Sequence, residues 1–352
     1  MPGSTQSKSV PAVAAQPDTA QIRAALRVLY PLLGQGEVVE LRALRVPQGR
    51  SYSATYYGYF DDLDKLAACA AQLSAEGAAT YTTLNPVLPA LLARCANRVQ
   101  KAGKGSTTTD SAILFRRWLA IDLDPERPAG ISSTSAELEH AMRRGRDITA
   151  WLTSCGWPLP VVAMSGNGGH VCYQIHLANG PDELVLINGC LAALAARFGG
   201  DGISVDTTVG NAARIWKLYG SVARKGDNCP ALGRTHRVAQ LVSVPDSLEA
   251  VTAEQLRDLA ASLPEPEPEP RPSSASSSGN GSGADWLPDW LAAHGVAVDG
   301  PRPWKGGRLW GVAACPFCCE SDGAAVCGEQ ASGANSGCCG RQSAGFPLQW
   351  GT

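Results

Sequence analysis

A run of alternating proline and glutamate, PEPEPEPRPSSASSSGNGSG, begins at Pro264 and constrains the fold of this 352-residue chain more than any other feature. Alternating Pro and Glu favours a stiff, extended, charged segment, and the Ser and Gly residues after it favour flexibility. We interpret residues 264–284 as a linker, which separates a domain at 19–263 from a short unit at 285–352. Residues 1–18 are polar, and we expect a disordered tail there rather than a signal peptide.

The composition is typical of a soluble globular protein, with 44% hydrophobic and 18% charged residues. No apolar run reaches the length of about 18 residues that a membrane span needs, so we expect a cytoplasmic protein without a membrane partner. The formal net charge of -2 gives no indication of nucleic-acid binding. The segment from Asp206 to Arg237, however, carries six Lys or Arg residues against two Asp residues, a local charge of +4 that is also typical of a solvated basic loop.

Helical and strand patterns alternate through the domain, which predicts an α/β (α+β) fold. Thr19 is the predicted N-cap of the first helix. Residues 87–103 are predicted to form another helix. Thr134 and Glu137 fit a capping box at the start of a further predicted helix.

The strand RRWLAIDLDP raises the central question of the sequence, because it places Asp122 and Asp124 in an otherwise apolar run. Alternate residues of a strand point to one face, about 7 Å apart. Two carboxylates at that separation on a half-buried surface repel each other and lose hydration. They need a cation, basic side chains or hydrogen bonds to stabilise them, unless Asp124 and Pro125 simply begin a loop.

Three further segments carry polar residues in an ordered series. MSGNGGHV is a glycine-rich turn between two strands and contains Ser165 and His170. SVDTTVGNAARIWKLYG contains Asp206, Arg214 and Lys217, and VARKGDN adds Arg224 and Lys225. Each feature also has a plain structural interpretation: a hairpin turn, a hydrogen-bonded histidine, a helix cap and surface bases.

Together these residues suit a phosphoryl-transfer site. Mg²⁺ or Mn²⁺ prefers carboxylate oxygen, and two such ions about 4 Å apart can activate a hydroxyl and stabilise a leaving pyrophosphate. Asp122, Asp124 and Asp206 are the candidate metal ligands and, with His170, the candidate catalytic residues. Basic side chains and the exposed amides of the glycine-rich turn would bind a triphosphate.

The series IDLDP, SGNGGH, VDTT and ARIWKLYG resembles the archaeo-eukaryotic primase (AEP) superfamily, in its phage- and plasmid-encoded primase-polymerase (PrimPol) branch. The resemblance extends over about residues 30–245. It implies an AEP-like catalytic core, in which a palm like the RNA-recognition motif (RRM) packs on an N-terminal α/β module, followed by a small C-terminal Cys-rich tail. It also implies template-directed nucleotidyl transfer, in which a primer 3′ hydroxyl attacks the α-phosphate of an incoming nucleotide.

The same resemblance implies that Ser165, His170, Arg214 and Lys217 bind the incoming NTP or dNTP. The implied partners are a single-stranded DNA template and a primer, in a bacterial or archaeal host that carries a mobile element. The sequence has no Walker loop, so a replicative helicase would be a separate chain or a missing part of a longer one.

Six of the twelve cysteines crowd into the tail. Cys315 and Cys318 form a good first zinc knuckle. Cys338 and Cys339 are adjacent, which is an awkward spacing for two ligands of one tetrahedral ion. The tail therefore either binds Zn²⁺ through these four cysteines or is a degenerated remnant. The six cysteines of the domain are expected to be small buried residues.

Two other functions stay open. A replication initiator could bind single-stranded DNA without synthesis, although the three carboxylates and both bases argue for activity. A metal-dependent nuclease would use the same carboxylates. A relaxase would need paired histidines and a nucleophilic tyrosine, and His170, His176 and Tyr219 do not have that spacing.

Overall fold

A computed structural model describes residues 15–49 and 52–263 in full, together with the backbone of four strands between residues 298 and 337. The chain divides into two compact units, residues 1–267 and 268–352. Within the described residues, no helix combines the length and the apolar character that crossing a membrane requires.

The first unit contains ten strands and five α-helices in its described part. The strands are β1 (Val39–Pro47), β2 (Ser53–Phe60), β3 (Ala79–Thr83), β4 (Gln100–Lys101), β5 (Arg116–Pro125), β6 (Val161–Met164), β7 (Gly169–Leu177), β8 (Ile203–Val205), β9 (Ile215–Lys217) and β10 (Gln240–Ser243). The helices are α1 (Thr19–Leu29), α2 (Leu63–Ala75), α3 (Ser135–Ser154), α4 (Pro181–Phe198) and α5 (Ala253–Ala261).

Two five-stranded antiparallel sheets organise these elements. The N-terminal sheet has the order β4-β2-β1-β3-β9, and the second sheet has the order β10-β6-β7-β5-β8. Along the chain, β5 to β8 run as strand, helix, strand, strand, helix, strand, with β5 and β7 paired at the centre. This is the split βαβ arrangement to which the RRM sheet belongs. The predicted mixed α/β fold, with an RRM-like palm beside an N-terminal α/β module, is confirmed.

Helix α1 shows why the N-terminal module folds as it does. Its apolar residues recur at helical spacing, and Ile22, Leu26 and Leu29 are fully buried. The predicted N-cap Thr19 is wrong by one residue. Asp18 caps the helix instead, because its carboxylate accepts hydrogen bonds from the backbone amides of the first turn at 2.9 and 3.1 Å.

Helix α3 begins at the predicted capping box. Thr134 Oγ1 accepts a hydrogen bond from the Glu137 amide at 3.2 Å, and Glu137 Oε2 accepts one from the Thr134 amide at 2.9 Å. Gly145 lets this helix approach the palm sheet closely, since a Cβ there would lie 3.3 Å from the side chains of Leu123 and Val171. The helix therefore covers the face of β5 opposite to the aspartates.

The predicted helix over residues 87–103 is wrong. Pro89–Arg94 forms only a short 3-10 helix, and the end of the segment pairs with β2 as strand β4. Asn97 has a φ of 50°, and its side chain accepts hydrogen bonds from two backbone amides just before α2. Leu91 and Cys95 belong to a small apolar cluster over β2, so their helical spacing reflects docking on this strand.

Buried polar contacts tie the N-terminal module to the palm. Arg117 on β5 forms an ion pair with Glu37, with Nη2 and Oε2 2.9 Å apart and both side chains almost fully buried. Asn85 accepts a hydrogen bond from the Arg117 amide at 2.8 Å and donates one to the Ala212 carbonyl at 2.9 Å. These contacts fix β5 against the first sheet, and so they fix the strand that carries Asp122 and Asp124.

The second unit is described only as backbone strands. These are β11 (Val298–Trp304), β12 (Gly307–Val312), β13 (Ala325–Gln330) and β14 (Gly333–Gly337), paired in sequence order as an antiparallel sheet. The candidate zinc ligands, the linker and the N-terminal tail predicted at 1–18 fall largely or wholly outside the described residues, so these predictions stay predictions.

The cysteines of the domain do not all behave as expected. Cys95, Cys172 and Cys190 are buried, but Cys155 is exposed where α3 ends. The other two are partly buried. The expectation of small core residues therefore holds for half of the set.

Candidate active site

The two aspartates of β5 share one partly open face of the palm sheet. Their side chains are 19% and 28% exposed, whereas the neighbouring residues of the strand are buried. Strand β5 continues through Pro125, and Asp124 pairs with Ser204 on β8. The alternative that Asp124 begins a loop is therefore wrong, and the carboxylates lie together on a half-buried surface.

Basic side chains stabilise this acidic pair. Lys225 Nζ lies 3.2 Å from Asp124 Oδ2, and Arg127 Nη1 lies 3.5 Å from Asp124 Oδ1. Burial lowers the pKa of Lys225, but the neighbouring Asp124 and Asp122 outweigh that effect and the net shift is upward. Lys225 therefore stays charged and neutralises part of the negative charge.

His170 faces Asp122 directly across the β5–β7 ladder. The two residues are register partners, and His170 Nε2 lies 3.3 Å from Asp122 Oδ1. On its other side, His170 Nδ1 lies 2.9 Å from the Tyr219 hydroxyl, and the ring packs against Trp216 with centroids 4.0 Å apart. The imidazole is thus held within the sheet and presents Nε2 to the acidic face.

The glycine-rich segment is a hairpin turn and also a wall of the site. Ser165 Oγ donates a hydrogen bond to the Gly168 carbonyl at 3.1 Å and accepts one from the Gly168 amide at 3.0 Å. Its hydroxyl is therefore engaged within the turn. A Cβ at Gly168 would lie 2.2 Å from the Leu123 carbonyl oxygen, so only glycine lets the turn sit beside Asp124.

Asp206 is a helix cap that also borders the site. Its Oδ1 accepts hydrogen bonds from the Thr208 amide at 2.8 Å and from Thr208 Oγ1 at 2.7 Å, at the start of a short 3-10 helix. Its own amide donates to the Asp122 carbonyl at 2.9 Å. The third carboxylate is consequently anchored next to the first.

The two predicted nucleotide-binding bases are held by backbone carbonyls. Arg214 Nη2 donates to the Thr208 carbonyl. Lys217 is buried, and its Nζ donates to the Val222 carbonyl at 2.8 Å and to the Thr80 carbonyl at 3.3 Å. Burial, with a smaller contribution from Arg224, lowers the pKa of Lys217 to about 7. Lys217 therefore lies buried at the base of the cleft, and its charge changes with pH near neutrality.

All the residues predicted within the domain line one cleft of about 260 Å³. The cleft lies between the palm strands and residues of the N-terminal sheet such as Leu44 and Tyr81. The predicted residues that meet there are Asp122, Asp124, Ser165, His170, Asp206, Arg214 and Lys217. Their roles stay predictions.

Sequence reasoning included Lys225 only as part of a basic segment, without a role of its own, and it did not select Asn167 or Tyr219 for the site. Asn167 Oδ1 accepts from the Ser133 amide at 2.9 Å, and Asn167 Nδ2 donates to the Lys225 carbonyl at 2.8 Å. This side chain therefore links the hairpin turn to the loop that carries Lys225. The one available signal was an amide side chain inside a glycine-rich turn.

The donor set fits a divalent cation chemically. Asp122, Asp124 and Asp206 offer carboxylate oxygens to one cleft, which is the donor type that Mg²⁺ and Mn²⁺ prefer. The ammonium of Lys225 already places a positive charge at Asp124. In the part of the chain with described side chains, however, no three His, Cys, Asp or Glu residues form a ready-made metal cluster.

Comparison with known proteins shows that this chain is similar to solved structures. One is a crystal structure of primase RepB', at 10% identity and a TM-score of 0.39, with 70% of this chain and 63% of that chain covered. Another is the catalytic domain of primase RepB' in complex with initiator DNA, at 10% identity and a TM-score of 0.33, with 69% and 95% covered. The chain thus spans less than two thirds of the first of these. No protein-family model and no curated protein sequence matches.

Proposed function

We propose that this chain is a template-directed nucleotidyltransferase of the primase-polymerase type, which makes or extends primers on single-stranded DNA. The observation that carries the proposal is the convergence of Asp122, Asp124, Asp206 and His170 in one cleft. These residues come from two strands, β5 and β7, and from the loop after β8, and an RRM-like palm brings them together. The sequence resemblance to the AEP superfamily supports the same class.

The chain's own residues have distinct parts in this proposal. Mg²⁺ or Mn²⁺, when bound by the three aspartates, would supply charge neutralisation and an activated primer 3′ hydroxyl. His170 Nε2 would donate a hydrogen bond to a phosphate oxygen of the incoming NTP or dNTP. Lys225 and Arg214 would neutralise the triphosphate. Asn167 would hold the loop of Lys225 in place.

The proposed partners follow from this chemistry. Single-stranded DNA would be the template, and a primer would supply the attacking hydroxyl. We place the protein in the replication of a phage or plasmid, with a helicase on a separate chain or on a missing part of this one.

Primer synthesis on single-stranded DNA tests the proposal. Wild-type protein is incubated with Mg²⁺ or Mn²⁺ and with NTPs or dNTPs, beside the double variant Asp122→Asn plus Asp124→Asn. We expect the variant to lose at least about a thousand-fold in rate, because several kcal/mol of charge stabilisation disappears. Asp147→Asn, at an exposed carboxylate of α3, is the matched control. If the double variant synthesises primers as fast as the wild type, the assignment of Asp122 and Asp124 as catalytic residues is wrong.

A non-catalytic initiator is the second candidate, and one observation favours it. The polar groups of the cleft already bind one another, as Lys225 binds Asp124 and Ser165 binds its own turn. If wild-type protein binds single-stranded DNA but synthesises nothing with either metal, the initiator function is supported. If it degrades the strand, and the double variant does not, the protein is a metal-dependent nuclease.

A further inference from the structure

The hydroxyl of Tyr219 lies between two nitrogen atoms in the interior of the domain. Trp216 Nε1 is 2.8 Å from it, and His170 Nδ1 is 2.9 Å from it. Tyr219 is fully buried, and no part of the proposed reaction uses it. A buried hydroxyl with two such partners has a defined direction of hydrogen bonding.

The direction follows from what each partner can do. An indole nitrogen only donates, so the Tyr219 oxygen accepts from Trp216. Burial raises the pKa of Tyr219 far above its ordinary value, so the phenol keeps its proton. That proton has an imidazole nitrogen as its acceptor at 2.9 Å.

A competing acceptor exists in the thiol of Cys172, which also influences Tyr219. Burial raises the pKa of Cys172 to about 12, so the group remains a neutral thiol. Neutral sulfur accepts hydrogen bonds weakly compared with an imidazole nitrogen. The stronger acceptor is therefore His170.

We propose that Tyr219 is a positioning residue that donates a hydrogen bond to His170 Nδ1 and so fixes the ring with its hydrogen on Nε2. Nε2 lies 3.3 Å from Asp122 and faces the cleft. The indole ring of Trp216 also packs against the imidazole of His170, with the two ring centroids 4.0 Å apart. The consequence for triphosphate binding rests on the proposed function, whereas the hydrogen-bond direction does not.

Nitrogen-15 NMR of histidine-labelled, metal-free protein tests the hydrogen-bond direction under conditions where the ring is neutral. The chain has five histidines, so His170→Gln identifies the signals of His170. We expect Nε2 to carry the hydrogen and Nδ1 to show the shift of a hydrogen-bonded acceptor. In Tyr219→Phe, the Nδ1 signal should move towards that of an unpaired nitrogen. A protonated Nδ1 in the wild type, or an unchanged Nδ1 signal in Tyr219→Phe, would overturn the proposal.

Tyr173→Phe is the matched control. Tyr173 is fully buried on the same strand as His170, and its hydroxyl has no partner of hydrogen-bonding geometry among the described residues. This variant should leave the His170 signals unchanged, and a shift as large as that in Tyr219→Phe would contradict the specific role of Tyr219.

Binding of a methylene-bridged nucleoside triphosphate analogue with Mg²⁺ is the second measurement. We expect Tyr219→Phe to weaken it about 2- to 10-fold, the effect of one hydrogen bond, and Tyr173→Phe to leave it unchanged. Equal weakening in both variants would contradict a positioning role. If the wild type binds no triphosphate while Nδ1 is an acceptor, the proposed function fails and the positioning of His170 stands.

Discussion

Lys217 shows how burial changes the chemistry of a single residue. Its ammonium lies on the cleft floor between two backbone carbonyls, and its pKa is lowered to about 7. The unfolded chain keeps the ordinary lysine pKa of about 10.4. Below pH 7 both states are charged, and the folded protein bears the whole cost of the buried charge. As pH rises from 7 to about 10, Lys217 loses its proton in the folded protein. The cost of the buried charge then disappears, and the free energy of unfolding increases.

We therefore expect the stability of the wild type relative to Lys217→Met to increase by at least about 1 kcal/mol between pH 7 and pH 9. Urea unfolding of both proteins at each pH measures this difference, and the subtraction removes the titration of other groups. Lys104→Met, at an exposed lysine, should show no such dependence. A pH-independent difference for Lys217→Met would mean that the lysine keeps its ordinary pKa.

Two residues show that a structural role and a place in the cleft are compatible. Asp206 caps a 3-10 helix, and Ser165 closes a hairpin turn, as their plain structural interpretations predict. Both also line the cleft. Their local hydrogen bonds hold them in position, so a structural explanation of a polar residue does not exclude a functional one.

At the scale of the element, the β6–β7 hairpin depends on its glycines. Gly168→Ala would bring a Cβ within 2.2 Å of the Leu123 carbonyl oxygen, and β5 cannot move away because Arg117 anchors it. We expect a loss of about 1–3 kcal/mol in the free energy of unfolding, measured by urea titration. Gly103→Ala, where a Cβ meets nothing within 4 Å, is the control and should change little. Equal stability of the two variants would mean that the turn can shift away from β5.

The palm also shows why the order of strands escapes sequence reasoning. The alternating or apolar patterns of β5, β6 and β7 predict these strands, and the capping box predicts the start of α3, but no pattern predicted β10. The helix predicted at 87–103 failed because Leu91 and Cys95 have helical spacing for another reason, their packing on β2. Local periodicity cannot distinguish a helix face from a segment that docks on a sheet.

At the scale of the whole molecule, all the cleft residues belong to the first compact unit. We therefore expect a fragment of residues 1–267 to unfold at the same urea midpoint as the domain in the full chain and to bind a triphosphate analogue equally well. Urea titration and binding measurements on both proteins check this. A fragment that fails to fold would show that the second unit stabilises the first.

The same pair of proteins tests the zinc prediction. If the tail binds Zn²⁺ through Cys315, Cys318, Cys338 and Cys339, metal analysis should find about one zinc per full chain and none in the fragment. Absence of zinc from both would support the degenerated tail.

The sequence by itself determined most of the helices and strands, with exceptions such as residues 87–103, and the side chains that are candidates for the chemistry, because these depend on patterns within a few residues. The pairing of Asp122 and Asp124 on one face follows from strand geometry alone. Only the tertiary structure decided what surrounds them. Lys225 reaches Asp124 across 101 residues, and Tyr219 reaches His170 across 49. Such contacts depend on sheet order and loop paths, and no local pattern of residues encodes them.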